Sequence, residues 1–203
     1  MAQNQNQNQT QTTNPQSLEA YLQVKGPAME TYFENALGKT KKHEELAVKT
    51  PKVVTTVEGR SGVRRINIRN HQVLADAPPA WAGYDLGSSA PELLLGALGA
   101  CLSHMYIVVA AIQKIPFTSV EVETSGTVDM RKGHPGFEEQ VPGITDLEYT
   151  IYLGGGGLTP EGFKKLQEDV EKVCPVYNLV KNKNDITPHI VNIADNGDKR
   201  VIF

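Results

Sequence analysis

Cysteine is scarce in this chain, and the scarcity bounds its chemistry first. Two cysteines among 203 residues cannot form a disulfide scaffold. In a reducing cytoplasm such a pair stays free or redox-active. Two Cys with one nearby His also lack metal-ligand spacing, so neither a metal nor a cofactor is expected. An excess of charge of one sign is missing too: 20 basic residues face 23 acidic ones, for a net charge of −3. That balance leaves no electrostatic footprint for nucleic acid or an anionic membrane surface. Met1-Ala-Gln-Asn-Gln has neither the basic start nor the apolar core of a secretory signal, and a cytoplasmic location follows as the expectation. No internal repeat is evident.

What the chain does have is one long apolar run, Ser89 to Ile112. It reads as a single helix, apolar on nearly all sides, with Cys101 near its middle. Such a helix must be buried, in a core or in a bilayer. Ser103 and His104 interrupt the run and no Lys or Arg flanks its start, so the core is the better reading. Ser89 and Glu92 have the spacing of a capping box, and Pro91 suits a first turn. Gly96, Ala97, Gly99 and Ala100 keep the turn before Cys101 thin, so a backbone or a small substrate can approach there.

Three segments divide the chain. Residues 1–16 are almost wholly Gln, Asn and Thr, too polar to offset the entropy of ordering, and are expected to be disordered. Residues 17–49 form a helical extension: a first helix behind Ser17, Gly26-Pro27 as punctuation, then a second helix through Met29, Phe33 and Leu37 and a polar linker from Lys39. Residues 50–203 form the main domain. There, β-branched or alternating residues predict strands at Val53–Val57, Val63–Arg69 and His71–Leu74, then at Val120–Val128, Leu147–Leu153 and Pro188–Ile193. Gly154 to Gly157 lacks a following Lys-Ser or Lys-Thr and is expected to be a connector, not a phosphate loop. Thr159-Pro-Glu opens an amphipathic helix that Cys174-Pro175 ends, with a short helix after it. Strands and helices are segregated, so the class is α+β with a mainly antiparallel sheet.

Three residues could carry chemistry. Cys174 stands where a new helix begins at Pro175, and backbone N–H groups there favour a thiolate; packing as a small apolar residue is the alternative. Cys101 is either an inert core residue or, with His104 three residues on, half of a nucleophile–base pair. Arg60 lies in the turn Glu58-Gly-Arg-Ser-Gly62, where it is solvated unless it points at a thiol and stabilises the thiolate.

Pro91-Glu-Leu-Leu-Leu-Gly-Ala-Leu-Gly-Ala-Cys101 resembles the central-helix motif of the OsmC/Ohr family, the osmotically induced and organic hydroperoxide resistance proteins. Val173-Cys-Pro-Val-Tyr-Asn178 resembles the family's second-cysteine motif, and Gly59-Arg60 and Asp85-Leu-Gly-Ser-Ser-Ala-Pro91 match in order. The resemblance spans about residues 50–203 and leaves 1–49 outside. It implies an OsmC-like fold in an intertwined homodimer, with long buried central helices wrapped by both sheets. It also implies a peroxidase in which Cys101 attacks an organic hydroperoxide or hydrogen peroxide. Cys174 resolves the sulfenic acid as a disulfide, Arg60 activates Cys101, and a dithiol reductant restores the pair. The family's characterised peroxidases use a Glu where this chain has Pro91. Glu92 is about 900° of helical rotation before Cys101, half a turn out of phase, and reads as a cap. Two other functions remain open: a binding module for a small apolar ligand, and a cysteine hydrolase using Cys101 and His104.

Overall fold

The computed structural model describes residues 16–38, 40–193 and 197–201. The Gln/Asn-rich tract expected to be disordered therefore lies almost wholly outside the described residues.

The first helix, α1, spans Leu18–Ala36, and Ser17 Oγ caps it by accepting from the Ala20 amide at 3.2 Å. Gly26-Pro27 does not divide it, contrary to the expectation of two helices. The reason is tertiary: α1 crosses the central helix at Gly26, where a Cβ would stand only 2.7 Å from the carbonyl oxygen of Ala111. Leu22 and Ala36 are buried on the same side. This packing holds the helix together through a proline that would otherwise break it. The polar stretch expected as a linker forms a second helix, α2, Lys41–Ala47, whose N-terminus is closed by a capping box between Thr40 and His43.

Strands β1 (Val53–Val57), β2 (Arg64–Ile68) and β3 (His71–Ala75) form an antiparallel sheet in that order, with Val57 opposite Arg64. The turn between β1 and β2 closes through Glu58 N–H to Val63 O at 2.8 Å. It uses Gly62 at φ 72°, a conformation other residues adopt at a cost. This sheet is poorly covered: Val53, Val54 and Val57 are 49, 51 and 62% exposed. After β3 the chain makes an irregular loop tied down by Asp76, itself buried, whose Oδ2 accepts from the amides of Tyr84 and Leu86 at 3.0 and 3.1 Å.

The central helix α3 runs Ala90–Gln113 and ends at Lys114 in the left-handed conformation. Ser89 donates to Glu92 through both its amide and its hydroxyl, each at 2.7 Å, so Glu92 is the cap its spacing predicted. Strands β4 (Phe117–Val128) and β5 (Ile144–Gly155) form a long antiparallel hairpin, Val122 facing Ile151, with irregularities after Phe117 and Ser125. Val120, Val122, Ile151 and Leu153 pack against a core built on Leu98, Leu102, Tyr106 and Phe117. The glycine run at the end of β5 is more constrained than the connector expected. Gly155, Gly156 and Gly157 all have positive φ, and a Cβ on Gly156 would strike the Phe117 ring.

Helix α4 (Pro160–Val173) is capped by Thr159, whose Oγ1 accepts from the Gly162 amide at 3.2 Å, and it buries Leu166 and Val170 against the core. Cys174 alone separates it from α5 (Pro175–Lys181). The expected last strand is shorter, β6 at Val191–Ile193, and pairs with a strand not anticipated, β7 at Lys199–Val201. The architecture is α+β with antiparallel sheets around one long central helix. By length and composition α3 could also cross a membrane, with a mean hydropathy of 2.0. It lies in the protein core instead, yet only 39% of that apolar window is buried by this chain.

Candidate functional site

Two elements far apart in sequence meet at the thiols. Cys101 sits on α3, half-buried; Cys174 is fully buried at the α4–α5 junction, among Leu102, Tyr106, Leu166 and Val170. Both are free, and Cys174 Sγ donates a hydrogen bond to Cys101 Sγ at 3.3 Å. The local sequence explains the junction. Pro175 cannot continue α4 but fits the first turn of α5, so the chain pivots at Cys174 and turns its side chain inward.

The expectation that a helix start would lower the Cys174 pKa is overturned. Burial pushes this thiol up, and the adjoining Cys101 sulfur pushes the same way; the amides of Tyr177 and Val176 favour the thiolate but do not prevail. A sulfur with no exposed surface loses more by desolvation than a short helix returns.

A polar cluster that the sequence did not reveal holds the junction in place. Glu171, one turn before Cys174, accepts from the Tyr149 hydroxyl on β5 at 2.7 Å, the Tyr177 hydroxyl on α5 at 2.7 Å and Gln167 at 2.9 Å. Asn178 donates to the carbonyls of Glu171 and Cys174, both at 2.8 Å. Burial pushes the Glu171 carboxyl up, but donation from Gln167, Tyr149 and Tyr177 and the nearby Lys181 charge bring it below the ordinary value. Burial and the Glu171 carboxylate both raise the Tyr149 phenol, so it stays a donor. The signal was partly local: Glu171, Cys174, Tyr177 and Asn178 recur at near-helical spacing about the cysteine. Tyr149, arriving from a distant strand, carried none.

The other sequence candidates are not gathered here. Arg60 is exposed in the β1–β2 turn and forms no hydrogen bond or ion pair among the described residues. Within one chain it is not brought to Cys101. His104 is exposed on α3 and makes no hydrogen bond to Cys101. Its pKa is lowered by partial burial and then by the Lys25 charge. The nucleophile–base pair of a cysteine hydrolase is therefore not assembled. No cluster of three or more metal-ligating side chains occurs among the described residues.

A family model described as OsmC-like protein matches residues 83–189, from the loop before α3 to beyond α5. No curated protein matches the chain. Among solved structures, an OsmC-like protein from Mycoplasma pneumoniae is similar, with a TM-score of 0.52 and 18% identity over 66% of this chain and 88% of that one. An organic hydroperoxide resistance protein from Elizabethkingia anophelis, with crystallant-derived thiocyanate bound, gives a TM-score of 0.51 and 20% identity over 66% of this chain and 90% of that one. An OsmC-like protein from Vibrio cholerae gives 0.53 and 15%, over 64% and 93%. At these identities the neighbours establish the fold alone. The family match covers more than half of the chain and includes both thiols, and the chain belongs to the OsmC-like family.

Proposed function

We propose that this protein is a two-cysteine thiol peroxidase that reduces organic hydroperoxides or hydrogen peroxide. The observation that carries the reading is the pair of free thiols in contact at 3.3 Å across two packed helices. The substrate class proposed is the one named for a neighbour of the same fold, an organic hydroperoxide resistance protein. The difference in exposure supports Cys101 as the attacking and Cys174 as the resolving thiol. Cys101 is half-buried and Cys174 is 0% exposed, so a peroxide meets Cys101 first.

In the cycle, the Cys101 thiolate attacks a peroxide oxygen, the O–O bond breaks, and the departing alkoxide takes a proton and leaves as the alcohol (as water from hydrogen peroxide). The Cys101 sulfenic acid is then attacked by the Cys174 sulfur, forming the disulfide and releasing water. A dithiol reductant returns both sulfurs to thiols and is itself oxidised to a disulfide. Such a cycle suits a reducing compartment such as the cytoplasm.

The working unit in this reading is a homodimer. The exposed valines of β1 and the incompletely covered α3 are apolar surfaces that a second copy would bury. Arg60, in solvent within one chain, would reach a thiol pair only across such an interface.

The test is to treat reduced Cys174→Ser with one equivalent of an organic hydroperoxide and trap sulfenic acid by mass spectrometry. An adduct on Cys101, together with a Cys101–Cys174 disulfide in the wild-type protein, is the expected result. Trapping on Cys174 of Cys101→Ser at the wild-type rate reverses the roles, and no reaction faster than free cysteine ends the peroxidase reading.

A further inference from the structure

Two free thiols held 3.3 Å apart are a chelate already formed before anything binds to them. Cys101 and Cys174 belong to different helices, and both pack in the core with Leu102, Leu166 and Val170. The fold rather than a flexible loop therefore sets the spacing. That spacing selects among the centres two sulfurs can hold. With a bond to sulfur of about 2.3 Å, a linear centre needs its sulfurs about 4.6 Å apart and a tetrahedral one about 3.8 Å. A pyramidal centre with bond angles near a right angle needs about 3.3 Å at the same bond length. Trivalent arsenic is pyramidal, because a lone pair occupies its fourth direction.

The number of donors selects the same way. A structural zinc takes four ligands, whereas no group of three or more His, Cys, Asp or Glu side chains occurs among the described residues. A monosubstituted arsenical carries its own third substituent and asks for two thiols only. Charge selects once more. Burial favours the protonated form of Cys174, and a metal cation needs thiolates. An arsenical condenses with neutral thiols and leaves a neutral product, so no charge is placed in the core.

We propose that Cys101 and Cys174 form a chelating site for a monosubstituted trivalent arsenical. Two As–S bonds form, the As–O bonds break, and both thiol protons leave with the arsenical oxygen as one water. Arsenic stays trivalent and neither sulfur is oxidised. The half-buried Cys101 bonds first, and the ring then closes onto the enclosed Cys174. Ala97, one turn before Cys101 on the same side of α3, is short and exposed, which leaves room for the organic substituent. The inference rests on the placement of the sulfurs and goes beyond the peroxidase reading.

The experiment is titration of the reduced full-length protein with phenylarsine oxide, without peroxide or oxygen, read by native mass spectrometry and by counting free thiols. The wild type is expected to take one arsenical per chain and lose both thiols. Cys101→Ser and Cys174→Ser should each bind at least about a hundredfold more weakly, since the second bond is intramolecular. Cys174→Ala, which buries no hydroxyl, should match Cys174→Ser and separates loss of the ligand from loss of the fold. Equimolar cadmium ion should not displace the arsenical, and affinity should change less than about threefold between pH 6 and 8, because neutral thiols release no net proton. The proposal is overturned if a free thiol survives saturation, if a single-cysteine variant binds as tightly as the wild type, if cadmium displaces the arsenical, or if affinity climbs about tenfold per pH unit. No peroxide enters the titration, so its failure leaves the peroxidase reading standing.

Discussion

Glu171→Gln isolates what holds the second cysteine in position. The carboxylate receives two phenol hydroxyls at 2.7 Å and one amide at 2.9 Å, joining β5, α4 and α5 one turn from Cys174. Glutamine is nearly isosteric but keeps one carbonyl oxygen and loses the charge. One phenol must turn or go unpaired, and the other bond loses its ionic character. Charge-assisted hydrogen bonds contribute about 1.5–3 kcal/mol each, and both tyrosines are only partly buried, so a total near 1–2 kcal/mol is expected. For a chain of this length that lowers the melting temperature by roughly 2–8 °C. The sign with pH is fixed. The folded Glu171 pKa is below its ordinary value, so the carboxylate stabilises the fold above the unfolded pKa. This contribution fades as pH falls through the folded pKa. Denaturant unfolding of wild type and variant should differ at pH 7 and converge toward pH 3. Stopped-flow measurement should show sulfenic acid forming at the wild-type rate and the disulfide closing more slowly. If the variant loses stability but closes its disulfide at the wild-type rate, Glu171 merely supports the fold and the reasoning about the junction is wrong.

Three further outcomes are expected. Arg60→Ala should slow peroxide turnover while changing folding stability by no more than about 0.5 kcal/mol, since an exposed turn side chain contributes little; unchanged turnover removes Arg60 from the reaction. Gly26→Leu should release α1 from α3, because a Cβ there meets a backbone oxygen at 2.7 Å. Hydrogen exchange in α1 should rise, although Leu favours an isolated helix over Gly by roughly 1 kcal/mol, and slower exchange would refute the close crossing. Asp76→Asn should loosen residues 77–88, seen as faster proteolytic nicking of that loop. The Asp76 pKa is lowered mainly by the amides of Leu86, Ala77 and Tyr84, so the wild-type loop is held above the unfolded carboxyl pKa and should loosen as pH falls through the folded one.

Local chemistry carried much of the fold. The capping residues Ser17, Glu92 and Thr159, the β-branched strands and the Cys174-Pro175 stop each place an element by interactions within a few residues. The misreadings share a cause in contacts distant along the chain. Gly26-Pro27 looks like a break until α3 is laid against it. Gly154 to Gly157 looks slack until Phe117 fills the space above it. Strand β7, Lys199-Arg-Val201, has a single apolar residue and exists only through its pairing with β6. The two cysteines could be singled out from sequence, because each sits in a distinctive local setting. Their 3.3 Å approach and the Glu171 clamp depend on β5, α3 and α4 converging, and no spacing reports that.

The unequal burial of the two sulfurs bears on both halves of the proposed cycle. Sequence alone favoured Cys174 as the more acidic thiol, and the opposite direction of its pKa follows from its complete enclosure. A thiol held protonated within the core is a poor first nucleophile toward peroxide. It does not need to be a good one, since at 3.3 Å the resolving step is effectively intramolecular and proximity compensates for weak ionisation. The same enclosure constrains the return. An incoming reductant thiol can reach only the half-buried Cys101 side of the disulfide, so Cys174 must be the leaving sulfur. At that moment the amides of Tyr177 and Val176 act in its favour, because they oppose the cost of releasing a buried thiolate. In the proposed cycle the short helix after Pro175 therefore does more for the regeneration of the pair than for its first oxidation.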